Sequence, residues 1–308
     1  MRSILLIDVK GRGFCMYKKM IAGLIGLAAF VTVSVGATNA SASSATVQIN
    51  GTTVTRQHLR TSTYYQTTKA TKMSLEYAKI DSATDKSYSK TITLPKGTII
   101  AGKLTKSSTT GKMNADMSLM GDLVGGEPLH YTLVNKAAKK GYVADGLGTS
   151  TTPSAFKRVS TPAYIPTWSY GDLYLGGSSA AKQFLASYPN QKVQITTDGY
   201  VEVHQKGSAK NWEFYYANKP VTAAKIKKTT AKGTTRYLYL SSSLKGIKTT
   251  RVGNKGAYEY RLALKNLHDP LKLPAINEDS NVPTFVSRYS LGGVAYYTPI
   301  VDWNSSDF

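Results

Sequence analysis

A single cysteine, Cys15, occurs in the 308 residues, and it falls in a leading segment that reads as an export signal. Without it the chain has no thiol, which excludes a disulfide scaffold, a thiolate zinc or iron–sulfur site, and a cysteine peptidase or transpeptidase. Acids are also scarce, with 18 Asp and Glu against 39 Lys and Arg, a formal charge of +21. A charge so far from zero repels itself and draws anionic partners. Long apolar runs are missing except for one, and amphipathic helical patterns are few.

The one apolar run is residues 21–37, IAGLIGLAAFVTVSVGA, which follows Lys18 and Lys19 and precedes the small residues Ala40-Ser41-Ala42. Positive, apolar and small-residue regions in that order are the pattern of a secretory signal peptide. Cleavage is expected after Ala42, making 1–42 the signal region. Residues 1–15 fit no part of a signal, so Met16 is the expected start of translation. Residues 43–308 then carry 34 Lys and Arg against 17 Asp and Glu, a net +17. They hold no second run of about 18 apolar residues, so no transmembrane anchor is expected in the mature chain. The terminal DWNSSDF also lacks a sortase-type signal. The expected location is secreted, extracellular or associated with the cell wall.

The expected fold is mainly β: two tandem β-rich domains, each a small barrel or sandwich with little helix, at 43–165 and 166–308. Asn50-Gly51 and Asp198-Gly199 sit between Val/Ile/Thr-rich arms, the pattern of tight hairpins that need positive φ, and Gly292-Gly293 predicts another. After Asp198-Gly199, Val201 and Val203 fall on one strand face, and Tyr200, Glu202 and His204 fall on the other, solvated one. Two helices are expected, SSAAKQFLASY before Pro189 and TTKATKMSLEYAKI, where Met73, Tyr77 and Ile80 recur at helical spacing. A weak internal match supports two domains. LPKGTIIAGKL aligns with KPVTAAKIKK, Tyr131-Thr132-Leu133 with Tyr260-Arg261-Leu262, and Phe156 with Phe285.

Within the second half the charge is concentrated. Residues 206–265 contain 14 Lys and Arg but only Glu213 and Glu259, whereas 266–308 contain two bases and five acids. Lys225, Lys227, Lys228, Lys232 and Arg236 surround one predicted hairpin, and Lys245, Lys248 and Arg251 occupy the next loop. These eight are the candidate polymer-binding residues. Ammonium groups are point charges that need no fixed partner geometry, which suits a flexible polyphosphate better than a bidentate ligand. The 21 tyrosines add rings that can stack on sugars or pack in a β core.

Catalytic patterns are weak. Ser87, Ser154, Ser179 and Ser242 each precede a lysine by three residues, as chance allows in a Ser/Lys-rich chain, and no later K-[ST]-G element accompanies them. G-x-S-x-G and phosphate-cradling glycine loops are absent, and His58, His130, His204 and His268 lack metal-ligand spacing. No catalytic residue, metal or cofactor is assigned. Six glutamates and eleven aspartates in the mature region leave glycoside hydrolysis open, because it needs only two placed carboxylates. Asn277-Glu278-Asp279-Ser280-Asn281 matches no calcium loop.

The segments TITLPKGTIIAGKL, FKRVSTPAYIPTWSYGDLYLGG, ITTDGYVEVHQ and EYRLALKNLH resemble a group of uncharacterised secreted and cell-surface β-rich proteins of lactobacilli and related Gram-positive bacteria. More locally, LPKGTIIAGKL is similar to the K-G-T strand turn of bacterial Src-homology-3-like wall-binding modules. The first resemblance implies export and a surface setting. The expected function is a non-covalently wall-associated binding or structural protein attracted to anionic polymer, teichoic acid or an acidic polysaccharide, with no specific nucleic acid as partner. A secreted wall-modifying hydrolase and a glycan or host-surface adhesin are the alternatives.

Overall fold

A computed structural model describes residues 45–79, 87–108, 110–118, 128–136, 138–183, 189–206, 219–254, 258–273 and 284–301. The fold is mainly β. A two-stranded hairpin, β1 (Thr46–Ile49) and β2 (Thr52–Thr55), comes first. It is followed by β3 (Tyr64–Thr67), β4 (Thr71–Lys79), β5 (Ser87–Leu94), β6 (Ile99–Lys106), β7 (Met113–Ser118), helix α1 (Tyr131–Asn135), β8 (Tyr142–Ser150) and β9 (Phe156–Val159). The chain continues through β10 (Asp172–Leu175), α2 (Ser178–Lys182), β11 (Gln191–Ile195), β12 (Tyr200–Gln205), β13 (Thr222–Lys232) and β14 (Thr235–Leu240). It ends with β15 (Thr250–Arg251), β16 (Tyr260–Asn266), β17 (Leu271–Lys272), β18 (Phe285–Leu291) and β19 (Val294–Pro299).

Strands β3 to β9 make a seven-stranded antiparallel sheet in the order β5-β4-β8-β7-β6-β3-β9. Its packed face gathers Met73, Leu75, Tyr77, Leu94, Ile100 and Met117, with Leu129 and Val134 of the α1 region laid over them. The buried Tyr77 hydroxyl donates to the Val134 carbonyl at 2.7 Å, which pins α1 to the sheet. The helix expected over TTKATKMSLEYAKI is strand β4. Met73, Leu75 and Tyr77 alternate with Lys72, Ser74 and Glu76, so the buried residues have period two, and that pattern prevails over the sparser helical spacing.

The second sheet closes. Pairings run β10-β11-β12-β13-β14-β16-β18-β19 and return from β19 to β10, giving an eight-stranded up-and-down antiparallel barrel to which β15 and β17 are appended. Closure leaves no unpaired barrel edge, and inward and outward residues must alternate along each strand. Leu173, Val193, Ile195, Val201, Val203, Leu238, Leu240, Leu262, Leu264, Leu291 and Tyr296 fill the inside. Ile165 lies over one mouth of the barrel, and Leu244 and Ile247 of the β14–β15 loop lie over the other. The β1–β2 hairpin packs by Ile49 and Val54 on Phe285, Ile300 and Val301.

All three expected hairpins form. Asn50 and Gly51 have φ of 49° and 75°, and Gly292 and Gly293 have 59° and 93°, as two-residue turns matching strand twist require. The internal match holds only in part: Phe156 and Phe285 each open a strand, β9 and β18, whereas Tyr131 opens helix α1 and Tyr260 opens strand β16. The helix expected from SSAAKQFLASY is α2, and 184–188 lie outside the described residues, as does the 277–281 segment.

Candidate functional site

Strand β13 carries the densest lysine run, and its geometry decides which cations reach solvent. Ala224 and Ile226 point into the barrel. A bulge then shifts the β13–β14 register between Ile226 and Lys228, so Lys227 and Lys228 are both exposed instead of one being turned inward. Lys232 is exposed at the far end of the strand.

Neighbouring strands extend this surface. Lys228 pairs with Tyr239 of β14, which pairs with Arg261 of β16, and Tyr237 and Ala263 form the next cross-strand pair. Leu238, Leu262 and Leu264 face inward, so Tyr237, Tyr239, Arg261 and Lys265 share the outer face with Lys228. Cations sit against the rings. Lys228 Nζ is 5.7 Å from the Tyr239 ring centre and 5.6 Å from that of Tyr258, and Arg261 Cζ lies 4.9 Å over Tyr237. Tyr239 and Tyr258 meet edge to face at 5.4 Å, and Tyr258 is 42% exposed. Such contacts hold both side chains in place at modest energetic gain, about 0.5–1 kcal/mol at an exposed site. The outcome is a positively charged sheet face with tyrosines set between the charges.

In three comparisons, no family model, no curated protein and no solved structure matches the chain. The site therefore stands on its own chemistry.

Of the eight sequence candidates, Lys227, Lys228 and Lys232 lie on this face. Lys245 and Lys248 are exposed on the β14–β15 loop, which starts beside Lys225 through the Ser241 N–H to Lys225 carbonyl bond at 2.9 Å. Arg251 is exposed but paired with Glu259 at 3.2 Å, so its net charge is reduced. Arg236 is not part of the face. Its strand alternation matches Leu238, and it is spent at the barrel mouth, where Nε donates to the Ala163 carbonyl at 3.0 Å and Nη2 to Thr167 Oγ1 at 3.4 Å. Lys225 is half-buried at the edge of the face. Its Nζ donates to the Asp198 carbonyl at 2.6 Å and lies 4.3 Å over the Tyr200 ring. Burial holds its pKa below the ordinary lysine value, against the opposing pull of the Asp198 carboxylate.

Sequence reading did not single out Tyr237, Tyr239, Tyr258, Arg261 and Lys265 as one surface. The alternation of TTRYLYL and EYRLALK could have done so, because both segments put every second residue on one side. Their adjacency depends on strand order, which no local pattern contains. Glu202 and His204, expected on a solvated face, are 3% and 7% exposed instead. They lie on the outer barrel wall, where Glu202 Oε1 accepts the Tyr131 N–H of α1 at 2.9 Å. Among the described residues, no three His, Cys, Asp or Glu side chains are grouped so that they could hold a metal ion, and no helix is long and apolar enough to cross a membrane.

Proposed function

We propose that this is a secreted protein held at the bacterial cell surface by non-covalent attraction to an anionic wall polymer such as teichoic acid. The observation that carries this reading is the β13–β14–β16 face, where Lys227, Lys228, Lys232, Arg261 and Lys265 surround Tyr237 and Tyr239. Spaced ammonium groups suit a flexible chain of phosphates, because each contact is non-directional and the polymer adapts to their spacing. Tyrosine rings between them offer flat apolar surface to sugar or polyol units of such a polymer. Attraction of this kind is strong at low ionic strength and is screened within about 8–10 Å at physiological salt.

Retention on isolated walls tests the reading directly. The protein is expected to bind intact walls, to elute with rising sodium chloride, and to be lost when teichoic acid is extracted. Equal retention on intact and extracted walls, insensitive to salt, would sink it. Release of soluble fragments from peptidoglycan or polysaccharide by the purified protein would instead support the hydrolase alternative.

A further inference from the structure

A second site lies beside the cationic face, where the turn joining β5 to β6 and the start of α1 meet the outer wall of the barrel. The cleft has a volume of about 190 Å³ and is lined by Lys96, Thr98, His130, Asp198, Tyr200 and Lys225, among others. That is below the roughly 300–1,000 Å³ of pockets that take a whole small-molecule ligand. Its size suits a single functional group.

The hydrogen-bond inventory identifies the group. Asp198 is already engaged from several sides: Oδ1 accepts the His130 N–H at 3.1 Å and the Thr196 hydroxyl at 2.7 Å, Oδ2 accepts His130 Nδ1 at 2.5 Å, and its backbone carbonyl accepts Lys225 Nζ. The Pro95 carbonyl is likewise occupied by the hydroxyls of Thr67 and Thr98. What remains unspent is donor capacity. Lys225 has three ammonium protons and directs one to Asp198, and Lys96 is exposed at the rim. His130 Nδ1 is committed to Asp198, and the ring lies flat on Tyr200 with centres 4.0 Å apart, so the imidazole walls the cleft. A half-buried ammonium with protons to spare and a second lysine at the rim ask for an acceptor-rich anion.

We infer that this cleft binds one phosphate group, presented as a monoester or as the free ion, between Lys225 and Lys96. Lysine favours phosphate as a point charge, and no arginine lines the cleft to fork a carboxylate. The inference does not depend on polymer binding, although Lys225 connects the two surfaces.

The test is a titration of the purified protein with inorganic phosphate and with glycerol phosphate, followed through the NMR signals of the His130 imidazole. A saturable shift of the His130 ring signals is expected, because His130 lines the cleft and an anion bound there changes its surroundings. Sodium acetate at equal ionic strength should give no such shift. Lys225→Met is expected to weaken phosphate binding about tenfold, the size of one lost charge-assisted hydrogen bond. Lys96→Met, at an exposed position that should not disturb folding, is expected to weaken it severalfold. The Lys228→Gln/Lys232→Gln pair should leave phosphate binding unchanged while lowering retention on walls, which separates failure of one reading from failure of the other. No saturable response to phosphate, an equal response to acetate, or a response untouched by Lys96→Met would each overturn the assignment.

Discussion

Arg60 and Asp172 form an ion pair at 3.0 Å whose side chains are 1% and 2% exposed, with the Arg60 guanidinium 4.9 Å over the Tyr170 ring. Asp172 also accepts the hydroxyls of Tyr174 and Thr298, both at 3.2 Å. The pair links the segment after the β1–β2 hairpin to the first barrel strand. Asp172→Ala takes the carboxylate away from a buried cation and is expected to cost about 3–5 kcal/mol in urea unfolding. The Arg60→Met/Asp172→Leu double variant should recover only part of that, because the Tyr174 and Thr298 hydroxyls then each lose one hydrogen bond. Tyr296 acts through burial in a different way. Its pKa is pushed up to about 12 by desolvation inside the barrel, and its hydroxyl donates to Gln191 Oε1 at 2.5 Å. An acid group whose pKa is raised on folding contributes stability below its unfolded value, near 10 for tyrosine, and loses it as pH climbs through the folded value. Stability should therefore fall between about pH 10 and 12. Tyr296→Phe should make that alkaline transition shallower in circular dichroism. At neutral pH it should cost about 1–3 kcal/mol, by leaving a buried amide oxygen without a donor.

Strands and helices are held by partners distant in sequence. Helix α1 has five residues and no side-chain cap of its own. Two barrel carboxylates serve instead, Asp198 taking the His130 N–H at 3.1 Å and Glu202 the Tyr131 N–H at 2.9 Å. Negative charge at a helix start is favourable, and these amides have no intrahelical acceptor. Glu202→Ala should therefore speed hydrogen exchange of the amides at 130–136 while leaving the barrel amides protected. Gly171, just before β10, makes another element-level constraint. Its φ is +83°, and a Cβ there would lie 2.1 Å from the Ile195 carbonyl oxygen of the neighbouring strand. Gly171→Ala adds a clash to a backbone strain of about 1–3 kcal/mol and is expected to lower the melting temperature by several degrees. The strands themselves were largely legible: hairpin glycines marked the turns and Val201 and Val203 marked the inner face of β12. β4 was not read correctly, because Met73, Tyr77 and Ile80 satisfy a helical template while Met73, Leu75 and Tyr77 satisfy a strand template in the same residues.

Across the whole molecule, net charge and its placement are separable. Lys69, Lys72 and Lys157 are exposed outside the barrel, so removing them lowers the total charge as much as removing Lys227, Lys228 and Lys232. If placement matters, Lys227→Gln/Lys228→Gln/Lys232→Gln should weaken polyanion binding about tenfold and flatten its salt dependence, as expected when counterion-releasing contacts are lost. The Lys69→Gln/Lys72→Gln/Lys157→Gln variant should change binding far less. Equal losses in the two triple variants would mean that the total charge acts alone.

Composition and local pattern determined that the chain is basic, thiol-free beyond Cys15, mainly β and turned at Asn50-Gly51, Asp198-Gly199 and Gly292-Gly293, because these depend on residue type and near neighbours. They also located the lysine-rich stretch. Only the tertiary structure decided that the second sheet closes into a barrel, since closure depends on β10 meeting β19 across more than a hundred residues. It also turned Arg236 to the barrel mouth, brought Arg261 and Lys265 beside the β13 lysines, and set His130 of one sheet's helix against Asp198 of the other. Those outcomes follow from register and strand order, which are properties of packing between distant segments and have no signature in any one of them.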